Sequence, residues 1–213
     1  MNNPYNISPL QPLFTYLGQF HQLSPGFKRA YEQNISVIKV KKNKFVLSPI
    51  DKNACLYFLS GGIVRGFIKD GGKDITTWFS FGNEVIGAIR HPEGYYAHSH
   101  EYLQALEDCE LICIPYTFID QLYHDFPEAE QMGRKMLAIQ YYNASERSIL
   151  ARIPNASDRY QRLMNDCSKD FTKVPLKFLA SYLGIRMETL SRIRSKEAGL
   201  DQHKNFIPLA EAI

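Results

Sequence analysis

The residues best suited to specific chemistry lie in VPLKFLASYLGIRMETLSRIRSK, residues 174–196. Their spacing predicts two short helices meeting at Gly184. Pro175 suits the first turn of the first helix. Leu179, Tyr182 and Leu183 form its apolar face, and Ala180 is small where the two helices must approach. Gly184 supplies the positive backbone dihedral that a tight turn needs. Ile185 plugs the space between the helices, and Leu190 and Ile193 carry the inner face of the second; Thr189 is hard to place. The outer face then shows Arg186, Met187, Glu188, Ser191 and Arg192, with Arg194 and Lys196 further along. A guanidinium can bond guanine through two parallel hydrogen bonds, and a carboxylate can accept from cytosine. Serine, lysine and a helix N-terminus suit phosphate. A solvated amphipathic hairpin would show a similar charge pattern. The Ala-x-x-x-Gly spacing and the basic C-terminal bias favour a helix-turn-helix that reads double-stranded DNA.

Charge is distributed accordingly. The net of +3 is too small to argue for nucleic acid alone. Residues 1–151 hold 14 Lys/Arg against 15 Asp/Glu, whereas residues 152–213 hold 11 against 7. The positive excess sits with the suspected reader, as phosphate binding requires.

Other elements must position that module. Residues 9–34 read as helical, with an interruption at Ser24-Pro25. From about 36 to 115, short β-branched and aromatic segments are punctuated by Gly61-Gly62, Gly71-Gly72 and Gly82-Asn83, the texture of an all-β barrel or jelly roll. Residues 116–126 suit a short helix, and Pro127-Glu128 the first turn of a long one reaching about Arg152. Along it Ala129, Met132, Met136, Ile139, Asn143 and Leu150 keep a three-to-four spacing. That stripe fits either a parallel helix pair in a homodimer or packing on the chain's own barrel. Pro154-Asn155 breaks the helix, and Asn155-Ala-Ser157-Asp158 caps another over about 157–167.

The expected fold is α+β. It comprises an N-terminal β jelly-roll barrel with flanking helices (1–126), a long dimerisation helix and hinge (127–153) and an all-α helix-turn-helix domain (154–213). No apolar run approaches the roughly 18–20 residues of a membrane span, and MNNPYNISPL lacks the pattern of a signal peptide. A cytoplasmic protein without a membrane partner is expected. Cys55, Cys109, Cys113 and Cys167 read as buried thiols of a reducing compartment. Cys109 and Cys113 fall on one strand face, where a redox or metal pair is the alternative.

Over nearly its whole length the chain resembles the Crp–Fnr family of bacterial transcription regulators. LASYLGIRMETLSRIR is similar to that family's recognition motif, DRYQRL to the start of its DNA domain, and LYFLSGGIVRGF and FGNEVIG to its barrel. The resemblance implies a cyclic-nucleotide-binding-like jelly roll, a dimer made by the long helix, and RNA polymerase as a further candidate partner. It assigns base reading to Glu188 and Arg192 and a phosphate contact to Lys177. Met187 stands where the family often has another arginine. After Lys196 only about 17 residues remain, without the hairpin pattern of the family's wing, so a shallower salt dependence is expected.

The family's nucleotide ligands do not carry over. Its Gly-Glu pair is Gly87-Ala88 here, and Ser99 and His100 fall nearest its Arg-Ser or Arg-Thr phosphate clamp. No arginine lies between Arg90 and Arg134. Removing one partner of a buried charge pair costs about 2–5 kcal/mol, or roughly 30- to several-thousand-fold in affinity. The barrel, with Gly87, Ala88, Ser99 and His100 as its pocket, is therefore expected to sense an unidentified small molecule other than a cyclic nucleotide. A cupin-like metal sensor or enzyme using His98 and His100, with His91 or His124 as a third ligand, is the competing reading. The family's iron–sulfur type needs an N-terminal cysteine cluster, and no cysteine precedes Cys55; for its haem type only Pro4 speaks. No cofactor, no resident metal and no catalytic activity are expected.

Overall fold

The computed structural model describes residues 9–88, 99–166 and 169–204, with side chains as far as Glu197. The chain divides into two compact units, residues 1–146 and 147–213.

The first unit opens with helices α1 (Gln11–Gly18) and α2 (Pro25–Asn34). The interruption expected at Ser24-Pro25 is a helix start: the Ser24 hydroxyl accepts from the Phe27 amide at 3.1 Å. Among the described residues eight strands follow: β1 (Ser36–Val40), β2 (Phe45–Leu47), β3 (Cys55–Gly61), β4 (Val64–Asp70), β5 (Lys73–Ser80), β6 (Glu84–Ile86), β7 (Tyr102–Ala105) and β8 (Cys109–Pro115). They form two four-stranded antiparallel sheets, ordered β1-β8-β3-β6 and β2-β7-β4-β5. Gly71 and Gly72, both at positive φ (53° and 76°), make the two-residue turn joining β4 to β5.

Both faces of the first sheet are covered, which explains its unbroken apolar runs. Tyr57, Leu59 and Leu111 share one cluster with Val64, Leu103 and Ala105 of the second sheet. Their sequence neighbours Phe58, Ile112 and Ile114 point the other way, into a cluster with Leu13, Phe27, Phe118 and Leu122. Those last two belong to α3 (Tyr116–Asp125), which leads into α4 (Pro127–Arg152).

The first part of the α4 stripe packs on the chain's own unit; of its later members Ile139 is exposed and Leu150 is buried. Ala129 and Met132 are buried in the helical cluster and Met136 packs against it. Gly133 lies so close to Tyr123 that a Cβ there would stand 2.3 Å from the phenol oxygen. Beyond this point the helix leaves Leu137 and Tyr141 71% and 75% exposed, together with Tyr142.

The second unit holds α5 (Ala156–Met164), a 3₁₀ turn (Phe171–Lys173), α6 (Leu176–Leu183) and α7 (Met187–Lys204). The Asn155 side chain caps α5, accepting from the Ser157 amide at 2.8 Å. This helix ends at Met164, short of the expected residue 167. The architecture is thus α+β, with N-terminal sheets and a C-terminal helical region. Among the described residues no helix is long and apolar enough to cross a membrane.

Candidate nucleic-acid interface and inner sheet face

The turn between α6 and α7 is built by backbone chemistry. Gly184 adopts φ 64° and ψ 37°, the left-handed conformation that costs other residues a Cβ clash. Its amide bonds the Ser181 carbonyl at 3.2 Å, and the Ile185 amide reaches back to Ala180 at 3.0 Å. The two bonds satisfy carbonyls that the end of α6 would leave orphaned. Behind the turn, Leu179, Ala180, Leu183 and Leu190 are buried with Tyr160, Leu163, Phe171 and Val174. Pro175 stands one residue before α6 as its N-cap.

Arg159 holds this arrangement from the side. Its Nε donates to the Leu183 carbonyl at 3.0 Å, and one terminal nitrogen donates to the carbonyls of Ile153 and Pro154 at 2.5 and 3.1 Å. A cation here also suits the negative end of α6. Spacing marks no such role for Arg159, because its partners are backbone carbonyls set by the fold.

Every residue expected to touch DNA is exposed: Lys177, Arg186, Met187, Glu188, Ser191, Arg192, Arg194 and Lys196. They do not all share one face. With about 100° per residue, Glu188, Ser191, Arg192 and Ser195 cluster opposite the buried Leu190. Lys196 flanks them on one side, Met187 and Arg194 on the other. Arg194 lies near enough to Tyr160 of α5 to oppose the rise that burial causes in its phenol pKa. Arg186 precedes α7, and its carbonyl accepts the Leu190 amide. Lys177 sits in the first turn of α6 with its ammonium 4.7 Å over the Phe178 ring. Ser195 is the exposed residue that sequence reasoning missed; its position four beyond Ser191 was the available signal.

The expected effector residues flank a segment, 89–98, that lies outside the described residues, and His91 and His98 lie with it. On its near side Gly87 is half-buried, with Leu56 Cδ1 3.0 Å from where a Cβ would be. Ala88 is buried in the inter-sheet cluster, and its carbonyl accepts from Asn53 at 3.4 Å. On its far side burial alternates: Ser99 and Glu101 are buried, and His100 between them is exposed. The Ser99 hydroxyl accepts from the Glu101 amide at 3.1 Å.

Glu101 itself is only 1% exposed. One carboxylate oxygen, Oε1, accepts from the Thr77 hydroxyl and from the Trp78 indole, each at 2.8 Å. The indole crosses β4 over Gly66, where a Cβ would lie 2.2 Å from the ring. A buried carboxyl, and not a guanidinium, therefore stands beside Ser99. Among the described residues, no group of three or more His, Cys, Asp or Glu could hold a metal ion.

No family model matches the chain. It is 24% identical over 180 residues to electron transport regulator A of Shewanella oneidensis, a match covering 78% of this chain and 70% of that protein. It is 22% identical over 175 residues to the fumarate and nitrate reduction regulatory protein of Escherichia coli K12, covering 76% and 69%. Among solved structures it is similar to a protein of Eubacterium rectale described as a transcriptional regulator of the Crp/Fnr family. The TM-score there is 0.65 at 16% identity, covering 87% of this chain and 88% of that one.

Proposed function

The chain belongs to the Crp–Fnr family of transcription regulators, and from that premise we propose how it works: as a cytoplasmic homodimer that reads DNA through α7 and takes its signal through an N-terminal jelly-roll barrel. The working division is 1–126 for the barrel, 127–153 for the dimerisation helix and hinge, and 154–213 for the DNA module. RNA polymerase is the further macromolecular partner.

The observation that carries this reading is the exposed face of Glu188, Ser191, Arg192 and Ser195, held over buried Leu190 by the left-handed Gly184 turn. Arg192 bonds a guanine edge and Glu188 accepts from a cytosine amine. Lys177 and Lys196 hold phosphates, and Arg186 and Arg194 add positive charge beside them. Met187 offers only apolar contact, so the half-site differs from that of relatives with arginine there. Two copies of α7 must stand about 34 Å apart to enter successive major grooves. A signal acts by favouring that arrangement over others. The exposed Leu137 and Tyr141 on α4 supply apolar surface for the second copy.

The signal is not a cyclic nucleotide. Ala88 replaces the ribose acceptor, and no arginine lies between Arg90 and Arg134 to hold a cyclic phosphate.

Genomic-fragment binding at fixed salt tests the reader. Arg192→Ala should reduce sequence-specific affinity by about 5- to 150-fold, the equivalent of about 1–3 kcal/mol, and relax the preference at one position. Unchanged specific affinity would show that the wrong face has been assigned. Calorimetry with cyclic AMP and cyclic GMP tests the effector statement, and low-micromolar binding of either overturns it.

A further inference from the structure

The strand register joins two thiols that lie far apart in the chain. Tyr57 of β3 pairs with Cys113 of β8, and Cys55 pairs with Pro115. Cys55 and Cys113 are therefore diagonal neighbours on one sheet face. Their thiols are near enough to act on each other, and Ser36, the β1 partner of Cys113, stands beside Cys113 as well. Both cysteines are half-buried, and Ser36 and Ala54 beside them are exposed, so a small solute can reach the sulfurs.

Cys109 shares this face of β8 but is engaged differently. It is buried, and its sulfur faces the carbonyls of Ile63 and Glu107 at 3.4 and 3.3 Å. The partner of Cys113 is thus the cysteine on the neighbouring strand, not the one four residues before it.

We propose that Cys55 and Cys113 form a reversible disulfide and make this unit responsive to hydroperoxides. Burial and the contact with Cys55 push the Cys113 thiol up to about 12, so Cys113 enters the sequence as a thiol. The Cys55 sulfur attacks one peroxide oxygen as its thiol gives up its proton. The O–O bond breaks, the leaving hydroxide takes up the proton given up by Cys55, and the products are Cys55 sulfenic acid and one water. The Cys113 sulfur then forms the S–S bond as its proton leaves with the sulfenic hydroxyl as a second water. Two thiols are oxidised, one peroxide is reduced to two waters, and a dithiol reverses the change by exchange. The bridge would tie β3 to β8 beside the bond from the Tyr116 amide to the Ala54 carbonyl, 3.0 Å, where the chain enters α3.

The chemistry is independent of the regulator reading, and its test uses no DNA. Reduced full-length protein is titrated with hydrogen peroxide, quenched with acid, alkylated and mapped without reduction. The expected monomer is two hydrogens lighter, with a Cys55–Cys113 cross-linked peptide that dithiothreitol abolishes. Cys109→Ser should retain that peptide, and Cys113→Ala should stop at a dimedone-reactive Cys55. A different pair, a link between chains, or no cross-link at excess peroxide overturns the proposal, and the map of the unaltered protein decides this even if a variant misfolds.

Discussion

The Trp78 indole nitrogen donates to Glu101 Oε1 at 2.8 Å across the full width of β4. Gly66 makes this reach possible. It is paired with Trp78 on one side and Leu103 on the other, and it leaves the ring nothing to clash with. Three adjacent strands are thereby joined above the backbone ladder at a position bordering the candidate effector site. Gly66→Ala places a methyl group inside the ring envelope. Displacing the indole should cost about 1–3 kcal/mol of stability. Trp78 is the sole tryptophan, so its emission reports the displacement directly in a urea titration. An unshifted midpoint with unchanged emission would contradict the close approach.

Gly184 presents the opposite case. No atom lies within 4 Å of where its Cβ would be, so only backbone conformation opposes a side chain. Gly184→Ala should destabilise by about 1–2 kcal/mol, the cost of the left-handed region. Asn tolerates that region better, so Gly184→Asn should cost less. Denaturant titration followed by circular dichroism separates the three proteins.

The dimer surface can be tested without disturbing the core. Leu137 and Tyr141 lie one helical turn apart and are largely exposed. Replacing both with Glu should leave helicity unchanged and weaken association by at least about tenfold, since burying such side chains contributes about 1.5–3 kcal/mol each. Sedimentation velocity over a concentration series measures this, and a dimer of unaltered affinity would place the interface elsewhere.

Alkaline lability follows from the buried acids of the first unit. Burial raises the Cys109 thiol to about 11, and Tyr31 and Tyr57 are pushed up as well, chiefly by burial. These folded values lie above the unfolded ones. The stability of the neutral form is therefore full below the ordinary thiol value of 9.0 and is lost as pH rises from there through about 11. The urea midpoint should fall between pH 8.5 and about 10.5, and less steeply in Cys109→Ala once its own lower midpoint is taken as reference.

Much of the DNA module was legible because its signals are local. A glycine at the turn, an alanine four residues before it and apolar residues at helical spacing specify the hairpin within about 20 residues. The start of α4 at Pro127 and the cap at Asn155 were legible for the same reason. The differing fates along the α4 stripe were not, because one periodic pattern serves packing at Ala129 and Met132 and exposure at Ile139. Only the position of Tyr123 and the helical cluster separates the two uses.

By itself, the sequence determined the centre of the α7 outer face, Glu188, Ser191 and Arg192, because a helix of fixed pitch with one buried leucine turns those positions outward. It also determined that no arginine lies between Arg90 and Arg134. The tertiary structure decided what stands near that place and what the thiols do. Trp78, Gly66 and Glu101 meet only through strand order, as Cys55 and Cys113 meet only through register. Neither is encoded in local spacing, since a pairing between distant strands depends on the whole sheet assembling at once.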